Sequence, residues 1–179
     1  MRIFLTLCSL VALQAFGLTT SIHADVAKIA PEKSALCPDD GSGKSYVLLS
    51  FDLSGLRSGE GRVIDEAYLE WIVPSLPSDG LVEFSIHQME SGWDETRVAA
   101  GQDTPDWKPD EESGWSIEPL DYQRHGGLVR LSVRTLVESW LEGTEQNHGL
   151  FIKFTEKPSA QLPGELSEAR LVIRYGFIK

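Results

Sequence analysis

The sequence predicts an all-β domain, an antiparallel sandwich or barrel that carries one short helix. Three observations predict it. Past residue 45, apolar side chains recur with a period of two in six separate runs, as in strands buried on one face. Clusters of Gly, Pro, Ser and Asp bound those runs, which suits antiparallel strands in a single domain. One segment alone keeps the helical period instead.

Met1 to about Ala24 reads as a secretory signal peptide. Arg2 supplies the positive start, Ile3 to Leu18 is mostly apolar, and Ser21-Ile22-His23-Ala24 offers a small residue at the cut. The apolar part is too short and interrupted for a membrane span of about 20 residues. The expectation is an exported chain, extracellular or periplasmic. Arg2 is the only charge removed with this segment, so 155 of the 179 residues remain and the net charge moves from −11 to −12. Cys8 leaves as well. Cys37 then stands alone before Pro38-Asp39-Asp40-Gly41, within an N-terminal extension read over 25–45 that precedes a domain at 46–179. It is expected to be an incidental thiol.

The first strand run, from Tyr46, puts Val47, Leu49, Phe51 and Leu53 on one face. The second alternates Ala67, Leu69, Trp71 and Val73 with Tyr68, Glu70 and Ile72. The third sets Val82, Phe84 and Ile86 against Glu83, Ser85 and His87. In the fourth, Val129, Leu131 and Val133 oppose Arg130, Ser132 and Arg134; in the fifth, Leu150, Ile152 and Phe154 oppose Phe151, Lys153 and Thr155. The last holds Ala169, Leu171, Ile173, Tyr175 and Phe177. The helix follows the fourth run: Leu136, Val137, Trp140 and Leu141 share a stripe, Thr135 and Glu138 suggest a capping box, and Gly143 is a natural stop. Trp140 is expected to close an end of the core.

Residues 90–121 lie outside the strand pattern. They hold ten acidic side chains against Arg97 and Lys108, and three of the five tryptophans, Trp93, Trp107 and Trp115. A long loop in a compact domain is either functional or disordered, and embedded tryptophans favour order.

The runs Leu48-Leu49-Ser50-Phe51-Asp52-Leu53-Ser54 and Val63-Ile64-Asp65-Glu66-Ala67-Tyr68-Leu69 resemble the opening "L-x-x-F-D-L-S … I-x-x-A-x-L-x-L" of DNRLRE-domain proteins. Trp93-Asp94-Glu95-Thr96 is similar to that family's "W-x-E-x-T". The helix through Trp140 and Gly143 is similar to its "V-x-x-W-x-x-G", and Asn147-His148-Gly149-Leu150 matches its "N-x-G-L". Ala169-Arg170-Leu171-Val172 resembles the closing strand. The order holds over roughly 46–177, and the same pattern resembles the propeptide of transforming growth factor beta proteins. The resemblance implies an antiparallel jelly-roll β-sandwich with one short helix, an exported non-catalytic module, and in some members binding of acidic polysaccharide. The family's "T-W-N" is replaced here by Val98-Ala99-Ala100-Gly101.

Chemistry narrows the function classes. The charge argues against nucleic acid, whose phosphates need Lys and Arg, and two cysteines supply neither a disulfide framework nor a Cys zinc site. No Gly-x-Ser-x-Gly or phosphate loop is present, and His87, His125 and His148 are scattered and read as surface residues. No enzyme activity is expected. Binding is easier to motivate: aromatic rings cover the C–H faces of sugars while polar groups hold the hydroxyls. The candidate ligand-binding residues are Trp107, Trp115, Tyr122, Arg130 and Arg134. The tryptophans either face solvent and stack on a sugar or fold inward as a plug. Asp103, Asp106 and Asp110 are the candidate ligands for Ca²⁺, a hard ion that takes oxygen donors; otherwise they are a solvated acidic loop. Arg130, Arg134, Lys153 and Arg174 form one basic face if their strands are neighbours. The expected partner is a polysaccharide or other cell-surface component, or a protein docked on a sheet face or edge.

Overall fold

The computed structural model describes residues 25–37, 46–56, 61–72, 82–103, 106–108, 113–117, 127–154 and 168–177, with the backbone alone at 82–83 and 113–117. The signal-peptide reading at 1–24, the ligand candidates Tyr122 and Asp110, and His125 lie outside these residues.

The described elements are β1 (Asp25–Ile29), β2 (Lys33–Cys37), β3 (Tyr46–Ser50), β4 (Arg62–Ile72), β5 (Val82–Gln88), α1 (Glu95–Ala99) and β6 (Ser113–Ile117), then β7 (Leu128–Ser132), α2 (Arg134–Glu142), β8 (Leu150–Phe154) and β9 (Arg170–Phe177). They form two antiparallel sheets, one ordered β1-β9-β4-β7 and the other β2-β3-β8-β5-β6. All six predicted strand runs are present, and the all-β sandwich stands.

The alternation decides what lies between the sheets. Val47 and Leu49 of β3, Phe84 and Ile86 of β5 and Leu150, Ile152 and Phe154 of β8 meet Ala67, Leu69 and Trp71 of β4, Leu131 of β7 and Leu171 and Ile173 of β9. Each large apolar side chain taken from water stabilises by about 1.5–3 kcal/mol. The Phe84 ring lies 5.9 Å from both Trp71 and Phe154, close enough for favourable edge and tilted contacts.

At one point β4 breaks its period. Ile64 and Ala67 both face the core, while Asp65 and Glu66 both face outward. The pairing with β9 shifts register between Ile64 and Glu66, so one extra residue is held as a β-bulge. The result is two consecutive carboxylates on the same side of one strand.

The helix follows its predicted stripe: Val137 and Trp140 are buried, and Leu136 and Leu141 pack against the core from its margin. Its capping differs from expectation. The N-cap is Val133, without a side-chain cap. The Val133 amide instead donates to Ala67 O at 2.9 Å, prolonging the β4–β7 pairing to the start of the helix. Thr135 is therefore inside the helix, and Glu138 accepts from Arg134 Nε at 2.8 Å rather than closing a capping box. Gly143 ends the helix at φ 73°, the left-handed conformation that glycine adopts without steric cost.

Two features lie outside the sequence reading. Residues 25–37 supply β1 and β2, an edge strand for each sheet. The acidic region, over 89–103 and 106–108, covers the outer face of the five-stranded sheet. Met89, Trp93 and Val98 bury a second apolar cluster there with Ala35, Leu48 and Phe151, flanked by Cys37, Tyr46 and Trp107. Trp93 Nε1 donates to His148 O at 3.1 Å, and Asp94 caps α1 by accepting from the Arg97 amide at 2.9 Å. Lys108 Nζ pairs with Glu145 at 2.8 Å.

Candidate functional site

The outer face of the other sheet is polar apart from the buried Val172, and its side chains follow from register. Outward positions on β4 are Glu66, Tyr68 and Glu70; on β9, Arg170, Val172 and Arg174; on β7, Arg130 and Ser132. Pairing sets Glu66 opposite Arg174 and Glu70 opposite Arg130. Opposite charges facing across strands stabilise the pairing modestly.

Around the bulge and the start of α2 this face sinks into a depression of about 590 Å³, lined by Asp65, Glu66, Tyr68, Arg130, Arg134 and Arg174 together with Ala67 and Ser132. Its volume is in the range of small-ligand sites. Arg130 Nε donates to Glu70 Oε2 at 2.9 Å, and its guanidinium lies 5.0 Å from the centre of the Tyr68 ring. The hydrogen bond to Glu70 raises the Arg130 pKa above its already high ordinary value. Arg174 Nη1 lies 3.1 Å from Glu66 and 3.9 Å from Asp65, the two carboxylates that the bulge brings together. Arg134 is held by Glu138 one turn along the helix. Lys28 reaches Glu70 from β1 at 3.8 Å. These pairs are half-exposed and individually worth under about 1 kcal/mol. Their effect is positional: each guanidinium has a set direction.

The predicted basic quartet is therefore divided. Arg130, Arg134 and Arg174 meet in the depression, because β7 and β9 both flank β4. Lys153 belongs to β8 in the opposite sheet, paired with Tyr46 and Ser85. Three alternating runs hold the four outward cations, but pairing separates one from the other three.

Trp107 lies in the covering segment. Its ring is half-buried and stacked on Phe151, with centroids 4.3 Å apart and planes 5° from parallel. Its backbone bridges Met89. One aromatic face is thus occupied by the protein itself. The backbone of Trp115 pairs with Phe84 in β6. Asp106 is exposed and Asp103 partly so, and the Asp106 carbonyl accepts from the Glu90 amide at 2.9 Å. Among the described residues no three His, Cys, Asp or Glu side chains gather as a metal site would require.

His87, expected at the surface, is 97% buried. The reason is the cover: the polar face of β5 looks into the second cluster, not into water. Ser85 Oγ lies 2.8 Å from His87 Nε2, and His87 Nδ1 faces Lys108 O at 3.3 Å. A hydroxyl, an imidazole and an orienting carbonyl in this order resemble a nucleophile and base. Here both side chains are buried, and the imidazole lies beside the Phe151 and Trp107 rings. The arrangement satisfies buried polar groups. His148 is half-buried, and its carbonyl holds Trp93.

Cys37 is a free, half-buried thiol whose pKa burial pushes up to about 11. Reactive cysteines show the opposite shift. Among the described residues no helix is long and apolar enough to cross a membrane.

The parts of the site are visible in the sequence, but their assembly is not. Arg130, Arg134, Arg174 and Tyr68 all occupy outward strand positions or the helix start, but only pairing shows that they converge. Asp65 and Glu66 had a local signal: Ile64 and Ala67 are both apolar at a spacing of three, which period two does not allow without a bulge. No protein-family model and no curated protein matches the chain.

Proposed function

We propose that this chain is an exported, non-catalytic module that binds a carbohydrate or other cell-surface polymer on the outer face of its β1-β9-β4-β7 sheet. The observation that carries the reading is the convergence of three oriented guanidiniums, Tyr68 and the Asp65–Glu66 bulge around one depression. The opposite sheet has its outer face occupied by the chain itself; among the described residues no segment packs over this one in the same way.

The two antiparallel sheets are compatible with the jelly roll that the resemblance to DNRLRE-domain proteins implies. The orders β1-β9-β4-β7 and β3-β8-β5-β6 place early and late strands side by side in both sheets, as expected when an antiparallel chain is wound into paired Greek keys. The "N-x-G-L" segment has a structural task that suits such a fold: Asn147 Nδ2 donates to Phe51 O at 2.8 Å, joining α2 to the end of β3.

Affinity electrophoresis of the intact chain through a panel of soluble polysaccharides tests the reading. Retardation is expected with at least one of them, and Tyr68→Ala or Arg174→Ala should remove it while Lys153→Ala leaves it intact. A panel that retards nothing would sink the glycan reading. The second reading is docking of a partner protein by strand addition, favoured by two exposed apolar residues on edge strands, Val26 (57% exposed) on β1 and Leu36 (47%) on β2. Loss of partner capture on Val26→Lys or Leu36→Lys, without loss of polysaccharide retention, would favour it.

A further inference from the structure

The charge pattern of the depression narrows the ligand beyond "carbohydrate", and this step rests on the binding-module reading above. Three arginines on one face suggest an anionic ligand at first sight. The geometry points elsewhere. Every one of the three is already neutralised: Arg130 by Glu70 at 2.9 Å, Arg134 by Glu138 at 2.8 Å, and Arg174 by Glu66 at 3.1 Å. An incoming carboxylate or sulfate must displace a resident carboxylate or share its guanidinium at close range, like charge beside like charge. Displacing Glu70, whose side chain is only 15% exposed, leaves it the longer contact to Lys28 at 3.8 Å. Beyond these pairs the lining adds Asp65, 67% exposed, while the same face also carries Arg170 and Lys28, which reaches Glu70 at 3.8 Å. The face is close to charge balance on a chain that carries −11. A polyanion approaching it meets like charge from the chain as a whole at long range and occupied cations at short range.

An uncharged hydroxyl meets neither obstacle. A guanidinium has five N–H donors, and an end-on pair with one carboxylate leaves others unspent. A carboxylate likewise keeps spare lone pairs. The depression therefore presents an ionised donor about 3 Å from an ionised acceptor at Arg174–Glu66, and further guanidinium donors at Arg134 and at Arg130 beside the Tyr68 ring. A hydroxyl both donates and accepts, and two neighbouring hydroxyls can span such a pair without breaking it. Hydrogen bonds to charged groups are the stronger kind.

We propose that the depression binds an uncharged, hydroxyl-rich segment of a polysaccharide, held by the Arg174–Glu66 pair as an intact donor–acceptor unit and by Arg130, which Glu70 keeps in place. Binding is then insensitive to salt, because no counter-ion is displaced from either side. It also needs both Arg174 and Glu66.

The test uses the full chain without residues 1–24 against immobilised neutral polymers (hydroxyethyl cellulose, galactomannan, pullulan) and acidic ones (alginate, polygalacturonate), at low and high NaCl. The expected result is binding to at least one neutral polymer, with affinity changing less than about twofold across a salt range that screens exposed charges. Glu66→Gln and Arg174→Gln should each weaken it about tenfold, the value of one hydrogen bond to a charged group. Circular dichroism confirms that these surface variants fold. Binding to acidic polymers alone, or a tenfold loss with salt, overturns the neutral-ligand inference and leaves the module reading standing. Tighter binding of alginate by Glu66→Gln with no neutral binding overturns it in the same way. Binding to no polymer overturns both. Neutral binding that survives Glu66→Gln and Arg174→Gln overturns the assignment to this depression.

Discussion

Replacing Gly149 by alanine should be among the most damaging single-atom additions to this fold. Gly149 stands at φ +104°, and a Cβ there would sit 2.3 Å from Leu49 O and 3.2 Å from both Leu49 C and Ser50 Cα. All three obstacles are backbone, so no side-chain rotation relieves them. Leu49 pairs with Leu150 at the end of the β3–β8 ladder, and Met89 N donates to Gly149 O at 3.1 Å. Moving the loop away loosens both contacts. The conformation alone costs an alanine about 1–2 kcal/mol, and forcing extra volume into a packed site costs about 1–3 kcal/mol more. A loss of about 2–5 kcal/mol is a large share of the roughly 5–15 kcal/mol that holds a domain together. Gly143→Ala is the control: its φ is +73°, but nothing lies within 4 Å of the added methyl group. Only the conformational cost applies, about 1–2 kcal/mol. Urea unfolding followed by tryptophan fluorescence measures both. The difference between the two variants isolates the contact with Leu49, and equal losses would refute the reasoning.

Trp107→Ala should cost about 2 kcal/mol in the same assay, because it uncovers Phe151 and removes a stacked ring; polysaccharide binding should not change. Cys37 should alkylate about a hundred times more slowly in the native chain than in urea at pH 8. Its pKa near 11 leaves little thiolate until the pH rises well above that of an ordinary cysteine near 8.5; equal rates would contradict the burial. Thr135→Ala should be nearly neutral, and Glu138→Ala should lose less than about 0.5 kcal/mol, as an exposed pair one turn apart does. Losses near 1 kcal/mol at both positions would mean that a capping box forms after all.

Much of the sandwich could be read from alternation, since Val47, Leu69, Phe84, Leu131, Ile152 and Ile173 each face the core as their runs predict. The unread parts have specific causes. β1 and β2 are edge strands in which Val26 and Leu36 face solvent, so their apolar residues do not alternate against polar ones. The cover on the second sheet was concealed by its charge. Trp93, Val98 and Trp107 bury a face with no fixed spacing, while the acidic side chains between them remain outside. That is also why His87 and Ser85 read as surface residues and are not. The depression joins residues 65–68, 130–134 and 174, and no local rule states which strands will pair. Arg130 and Lys153 look alike in sequence and end on opposite sheets.

The central claim is that ligand meets the β1-β9-β4-β7 face and not the tryptophan-bearing cover. An NMR titration with oligosaccharide fragments of a retained neutral polymer tests it most directly, by following arginine Nε–H, tyrosine ring and tryptophan indole signals together. The account predicts that Arg130, Arg174 and Tyr68 shift with saturation while Trp93 and Trp107 stay in place. Shifts at Trp107 with silent arginines would contradict it.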